Sequence, residues 1–383
     1  MKILVTGATG FLGRRLVAEL APRHSLRVLV RPQGHPANRS AGGRGAFPAG
    51  VEVVAGDVVD AASVRRAMAG CEAVVHAAAL VKILAPAAEF DRINVGGLEN
   101  VLAAAASEAA APGAPAGSAL PGAPAVTGAK VIYVSSFMAL GPSEGGPGGV
   151  LDESAAPAGF GAGAGSGAAR AAGTAGVGAA GGDHGLWINS YQRTKAMADR
   201  RARRAIAAGQ NVVVVYPGVI YGPGEMTEGN LVVRHVLDLL HRRLPALLGT
   251  PGRRWCHVFV DDVARGIGLA LERSPAGGRY VLGGENTSLG DFYRVVEELS
   301  GVPMPRRRLP DGLAKTIGAA QKAWARLRGT TPALTPDLVE VYRHDWAYSS
   351  ARAVAELGYS FRPLREGLAT TLAWLRETGQ WRR

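Results

Sequence analysis

The stretch Lys2-Ile3-Leu4-Val5-Thr6-Gly7-Ala8-Thr9-Gly10-Phe11-Leu12-Gly13 decides how the chain is read. Lys2–Val5 is a short apolar, β-branched run, the mark of a buried strand. Thr6–Gly13 turns on three glycines, and Arg14–Leu20 continues in a helical pattern. Strand, glycine-rich turn and helix together hold a dinucleotide pyrophosphate. Gly7 permits the tight turn. Gly10 lets the backbone approach phosphates, whose charge meets the N–H groups at the helix start. Gly13 lets helix and strand pack closely. The spacing is G-x-x-G-x-x-G rather than G-x-G-x-x-G.

The rest of the chain fits a doubly wound α/β protein. Leu26–Val30 reads as the second strand, and Arg31 follows it, eighteen residues after Gly13. Sites selective for NAD carry an acidic residue about 20 residues on, bound to the ribose 2′-OH. A cation there pairs with a 2′-phosphate, so Arg31 leans toward NADP. Val51–Ala55 is the third strand, and Asp57-Val58 sits just past its end. Asp57 is read as an adenine contact, with capping of a helix over Ala61–Ala69 as the open alternative. Ala73–His76 is the fourth strand. The small residues Ala77-Ala78-Ala79 after it let a nicotinamide ribose approach the backbone. Phe90–Ala106 reads as a helix whose Asn94 is a structural hydrogen-bonder.

Ser107–Gly128 is an Ala/Pro/Gly-rich loop, and Lys130–Val134 a fifth strand ending in Ser135-Ser136. From about Ser143 to Gly185 the chain is Gly- and Ala-rich without periodicity, and a disordered insertion is expected. A helix over Asn189–Ala208, a sixth strand over Asn211–Tyr216 and a loop over Pro217–Gly224 follow. Alternating strands and helices imply a parallel sheet. Beyond residue 217 the pattern turns helix-rich: Leu231–Arg243, Val263–Glu272, Leu289–Ser300, Leu313–Leu327, Ala351–Leu357 and Leu364–Arg376. Tyr280–Leu282 reads as one more strand. The expected organisation is a Rossmann-type domain over 1–216 and a smaller substrate-binding lobe over 217–383, partly sharing the main sheet.

Composition narrows the function. Among 383 residues there are two cysteines, Cys71 and Cys256, so no disulfide framework is expected and a reducing compartment fits. No apolar run reaches the length of a membrane span. The first strand begins at Lys2, which points to a cytoplasmic protein without a leader. The net charge of +12 is scattered, as suits a solvated surface or an anionic cofactor. No nucleic-acid motif accompanies it, so no nucleic-acid partner is expected, nor any metal.

Tyr191 and Lys195 are four apart on a helix and share one face. A tyrosine of pKa about 10 is a poor base at neutral pH. A neighbouring ammonium favours the phenolate and lowers that value. Tyr-x-x-x-Lys therefore makes a proton donor and acceptor for a carbonyl/alcohol pair. Ser136, at a strand end, can hydrogen-bond the same substrate oxygen, while the cofactor carries the hydride.

These residues resemble the extended short-chain dehydrogenase/reductases, the NAD-dependent epimerase/dehydratase family. The resemblance covers nearly the whole chain outside the low-complexity insertions. It is closest to the branch of dihydroflavonol 4-reductases and plant NAD-dependent farnesol dehydrogenases. It is carried by Val5–Gly13, His76–Val81, Ile93–Leu98, Tyr133–Phe137, Tyr216–Gly224, Gly283–Asn286 and Arg343–Ser349. The resemblance implies Ser136, Tyr191 and Lys195 as catalytic residues. It implies Gly7, Thr9, Gly10, Phe11, Leu12, Gly13, Arg31, Asp57, Val58, Ala77, Ala78, Ala79, Tyr191, Lys195, Pro217, Gly218 and Val219 as the bed of NAD or NADP. Homodimers are common in the resembled family. Three departures stand out. The Gly/Ala insertion separates Ser136 widely from Tyr191, though loop length costs stability only logarithmically. Phe259 stands where the family often has His before Val-Asp-Asp, with His257 two residues earlier. Arg31 leans to NADP, whereas the resemblance leans to NAD.

The leading expectation is an oxidoreductase acting on a hydrophobic alcohol or its carbonyl, such as farnesol. A nucleotide-sugar epimerase or dehydratase is the alternative, with Arg234, Arg253 and Arg254 to hold a pyrophosphate. A non-catalytic cofactor-binding scaffold or redox sensor is the third. In the helix Leu313–Leu327, the stripe Leu313, Ile317, Ala320, Trp324 and Leu327 suits a lipophilic pocket. With Lys315, Lys322, Arg326 and Arg328 nearby, it also suits weak contact with a membrane surface.

Overall fold

The computed structural model describes residues 1–32, 47–82, 84–108, 126–144, 149–155, 187–249, 252–330 and 332–382. Seven strands form one parallel sheet: β1 Lys2–Thr6, β2 Ser25–Val30, β3 Glu52–Ala55, β4 Ala73–His76, β5 Thr127–Val134, β6 Gln210–Pro217 and β9 Arg279–Leu282. Their order is β3-β2-β1-β4-β5-β6-β9. The order reverses between β1 and β4, so the crevice at their carboxyl ends is the ligand site of a doubly wound sheet. This is the Rossmann-type fold expected from the sequence.

Period-two alternation loads both faces of the sheet. Ile3, Val5, Val28, Ala73, Val75, Ile132, Val213 and Val215 point into one core. There they meet α1 Phe11–Leu20 and α7 Val260–Arg273, which pack against each other. Leu4, Val74, Val131, Tyr133, Val212 and Val214 point into the opposite core. That side is covered by α2 Ala61–Met68, α4 Gly97–Ala106 and α5 Ser190–Ala207.

A second, three-stranded sheet has the order β10-β8-β7, from β7 Val219–Tyr221, β8 Arg254–Phe259 and β10 Glu285–Ser288. With α6 Leu231–Leu240, α8 Leu289–Ser300 and α11 Leu364–Glu377 it encloses a third core around Tyr221, Phe259, Phe292 and Leu368. A small fourth cluster joins α9 Asp311–Arg328 to α10 Pro336–Tyr342. β9, from beyond residue 217, pairs with β6 in parallel and so lies in the main sheet.

Several expectations are corrected. The loop after β6 contains a strand, β7, and the helix-rich reading missed β8, β10 and α10. β5 begins at Thr127 rather than Lys130, its register shifting between Thr127 and Val131. Gly128, at φ +80°, lies so close to Ala105 that a Cβ would sit 2.7 Å from its carbonyl oxygen. The helix expected over Phe90–Ala106 is interrupted by a π-helical turn at Asp91–Gly96. The tail segment Ala353–Leu357 is also π-helical. Part of the stretch expected to be a disordered insertion, residues 143–144 and 149–155, is built into the fold. Ser143 donates its N–H to Asp345 O at 2.8 Å, and Leu151 N–H donates to Ala347 O at 3.0 Å. Glu153 is buried and accepts from Val281 N at 3.2 Å. Residues 109–125, 145–148 and 156–186 lie outside the described residues.

Candidate active site

The turn after β1 forms a cradle that only small residues permit. Gly7 has φ +76°, and a Cβ there would lie 2.6 Å from Ala78 N. A Cβ on Gly13 would overlap the Gly7 carbonyl. The turn therefore touches both α1 and the Ala77–Ala78 segment after β4. Gly10 precedes α1 with no side-chain cap, and the first turn of α1 has no acidic residue. Its leading N–H groups thus face the crevice without a side-chain acceptor, as a pyrophosphate requires. These residues fit a dinucleotide. The Phe11 side chain packs instead into the third core, with Gly224 pressed against its ring. Only the backbone of Phe11 is left to serve a cofactor.

Arg31 and Asp57 follow β2 and β3, at the same carboxyl edge of the sheet. Asp57 Oδ1 accepts from Val59 N at 3.2 Å, and Ser63 Oγ braces its backbone. The cap of α2 is Asp60, which accepts from Ala62 N at 3.0 Å. That removes the capping role considered for Asp57. Pro217 ends β6, and Gly218 lies where any Cβ would overlap the Cys256 carbonyl. Val219 opens β7, paired with His257.

α5 brings the catalytic candidates together. Asn189 caps it, accepting from Gln192 N at 2.8 Å, so the first turn holds Tyr191 and the second Lys195. Tyr191 lies near Ser136, whose hydroxyl acts on the phenol. Lys195 Nζ donates to Val134 O at 3.0 Å and lies 5.9 Å from the Tyr191 ring centroid. All three side chains thus meet at the end of β5. Asn94 sits in the π-helical turn. It accepts from Leu80 N at 2.7 Å and donates to Leu80 O at 3.2 Å and to Thr194 Oγ1 at 3.1 Å. It ties the segment after β4 to α5, a structural role as expected.

Burial sets the electrostatics. The Lys195 ammonium is pushed down to about 7 by desolvation. Burial raises the Tyr191 hydroxyl above its ordinary value, opposed by the neighbouring Ser136 hydroxyl. The expectation that Lys195 lowers Tyr191 is therefore corrected. The ammonium is itself desolvated and turned toward a strand carbonyl. Tyr191 stays a neutral phenol at neutral pH, the form that donates a proton. His76, at the end of β4, shares a 2.8 Å hydrogen bond between Nδ1 and Thr6 Oγ1. Burial, with Lys195 nearby, pushes it down to about 3.

The Arg343–Ser349 stretch braces this centre. Phe137, next to Ser136, packs edge-on against buried Trp346 at 5.5 Å, and the Tyr348 hydroxyl donates to Gly141 O. His257 shares a 2.9 Å hydrogen bond between Nδ1 and Thr287 Oγ1, and burial pushes it down to about 3. It lines a cavity of about 30 Å³ with Val219, Val232, His235, Trp255, Leu289, Phe292, Tyr293 and Tyr342. Trp255 and Tyr342 stack at 4.7 Å. The sequence reading missed this aromatic wall, because β8 and α10 were not recognised. The proposed pyrophosphate cations are engaged elsewhere. Arg253 Nη1 donates to Asp345 at 2.7 Å, Arg254 Nη2 to Gly149 O at 3.0 Å, and Arg234 Nη2 to Met226 O at 3.4 Å.

A family model described as "Male sterility protein", of the NAD-binding kind, matches residues 5–267. Sterol demethylase protein B of Methylococcus capsulatus is 28% identical over 383 residues, covering 99% of each chain. A second relative is the 4-hydroxy-2-methyl-3-oxo-4-farnesyl-3,4-dihydroquinoline-1-oxide ketoreductase of Stigmatella aurantiaca. It is 28% identical over 374 residues, covering 94% of this chain and 92% of that one. The crystal structure of gox2253 superposes with a TM-score of 0.70 at 28% identity, over 99% of each chain.

Proposed function

This chain belongs to the extended short-chain dehydrogenase/reductases, in the NAD-binding family described as male sterility protein, and from that premise we propose that it reduces a hydrophobic ketone or aldehyde to its alcohol, reversibly. The observation that carries this reading is the meeting of Tyr191, Ser136 and Lys195 at the end of β5, beside the cradle of Gly7, Gly10 and Gly13. A bound NAD or NADP supplies the hydride. Ser136 orients the substrate carbonyl oxygen, and Tyr191, held as a neutral phenol, gives that oxygen its proton. Lys195, held on the Val134 carbonyl, fixes α5 against the end of β5.

Two further observations support a hydrophobic substrate. The wall beyond Val219 is aromatic, with Trp255, Tyr342, Phe292 and Tyr293. The two relatives are named for a sterol and for a farnesyl-bearing ketone. The engagement of Arg253 and Arg254 within the protein speaks against a nucleotide-sugar pyrophosphate in that place.

The test is turnover of purified protein with NAD(H) and, separately, NADP(H). Substrates are farnesol, farnesal and long-chain ketones, and nicotinamide absorbance is followed. Turnover lost about 10²–10⁴-fold in Tyr191→Phe is the expected result. Absence of turnover across the panel, with retention of NAD and activity on nucleotide sugars, would replace this reading with an epimerase.

A further inference from the structure

α9 carries three of the large apolar side chains most exposed among the described residues. Leu327 is 82% exposed, Trp324 58% and Leu313 52%. At 3.6 residues per turn, Leu313, Ala320, Trp324 and Leu327 fall within roughly 60° of arc. The buried seam of α9, made by Ala314, Gly318 and Ala325, lies on a different face and packs on α10. The helix thus presents a second apolar stripe that the fold does not cover.

The charge of this segment is predominantly positive. Residues 306–328 hold seven cations and a single carboxylate, Asp311. The carboxylates of this corner are each held by a cation. Glu340 meets Lys315 at 2.7 Å, Asp337 meets Lys322 at 2.9 Å, and Asp311 meets Arg343 at 3.2 Å. Arg307, Arg326 and Arg328 have no ion pair among the described residues, and Arg328 lies over the Trp324 ring at 4.5 Å. An exposed tryptophan and leucines flanked by Arg328, on a segment rich in cations, complement an anionic lipid interface, which accepts apolar side chains and attracts cations together.

We propose that α9 is the face by which this protein docks on an anionic lipid bilayer, with Leu313, Trp324 and Leu327 entering the interface, Arg328 meeting headgroup phosphates, and Arg307 and Arg326 adding to the attraction. No helix among the described residues is long and apolar enough to cross a membrane, so the contact is peripheral. Docking of this face is independent of the reaction catalysed.

The experiment is co-sedimentation of the full chain with vesicles of phosphatidylcholine alone and of phosphatidylcholine with phosphatidylglycerol. Binding to the anionic vesicles is expected to be at least about tenfold tighter, and to weaken as salt screens the charges. Leu327→Glu and Trp324→Ser are each expected to weaken it about tenfold, as the loss of one buried apolar side chain predicts. Both positions are exposed, so circular dichroism should be unchanged. Brominated lipid should quench wild-type fluorescence more than that of Trp324→Phe. Equal binding to neutral and anionic vesicles, or binding unaffected by both substitutions, would overturn the proposal. So would self-association that the same substitutions abolish without any vesicle binding, which would assign the stripe to a second copy of the chain. Vesicle binding is read without turnover, so its failure is distinguishable from failure of the reductase assay.

Discussion

Tyr216 donates a 2.5 Å hydrogen bond to Asp199, and both side chains are fully buried. Asp199 also accepts from Arg203 Nε at 2.6 Å. The pair links α5, one turn beyond Lys195, to the last residue of β6 before Pro217-Gly218. It holds α5, which carries Tyr191 and Lys195, and the Pro217-Gly218 turn in one register. Burial and the adjacent Asp199 carboxylate push the Tyr216 hydroxyl well above its ordinary value, so it remains a donor.

Tyr216→Phe should therefore loosen both elements at once. It strands a buried carboxylate oxygen, at a cost of about 1–3 kcal/mol. Denaturant unfolding should show that loss, and cofactor titration should show weaker binding. Stability within about 0.5 kcal/mol of wild type would mean that the bond is not a brace.

Gly13→Ala tests the cradle. Its Cβ would overlap the Gly7 carbonyl, so α1 must move away from the turn. Overpacking of this kind costs about 1–3 kcal/mol. Dinucleotide binding by calorimetry should be lost, whereas Gly312→Ala, where a Cβ meets nothing within 4 Å, should bind as wild type does.

Lys195 should make stability rise with pH. In the unfolded chain it stays protonated to about pH 10. In the fold it gives up its proton at about 7. Between these values the unfolded chain binds more protons, so its contribution to native stability grows as pH rises. Relative to Lys195→Met, the wild type should gain up to about 1.4 kcal/mol per pH unit between pH 7 and 9. Parallel pH profiles for the two proteins would contradict the burial argument.

His76 and His257 act at the acid end. Each is neutral in the fold down to about 3, but an exposed histidine protonates near 6.5. Below about 6.5 the unfolded chain takes up protons that the fold refuses, so stability falls as pH falls, by up to about 1.4 kcal/mol per unit for each residue. Denaturation midpoints from pH 7 to 4 should drop less steeply for His257→Gln.

The Rossmann half was legible because its signals are local. A β-branched run before Gly7, and Tyr191 four residues from Lys195, need no distant partner to be recognised. The small sheet was not. β10 is Glu-Asn-Thr-Ser, polar throughout and half-buried, and it is a strand only because β8 lies beside it. β7 is three residues long and follows Gly218, so it read as loop. Tertiary pairing decided both. Phe11 shows the same limit within the motif, since its packing against Gly224 depends on a segment more than two hundred residues away. The start of the insertion was misjudged because Glu153 finds its partner, Val281, in β9.

The return of the chain to pair β9 with β6 has a consequence for biosynthesis. When residues up to Pro217 have left the ribosome, β6 is an open strand edge whose partner has not been made. The buried side chains of Tyr280 and Leu282 complete that edge only some sixty residues later. An unpaired apolar edge recruits other strands. The nascent chain is therefore most vulnerable to aggregation during that interval, and a fragment ending at residue 217 should be found in inclusion bodies or bound to chaperones rather than as a free cofactor-binding domain.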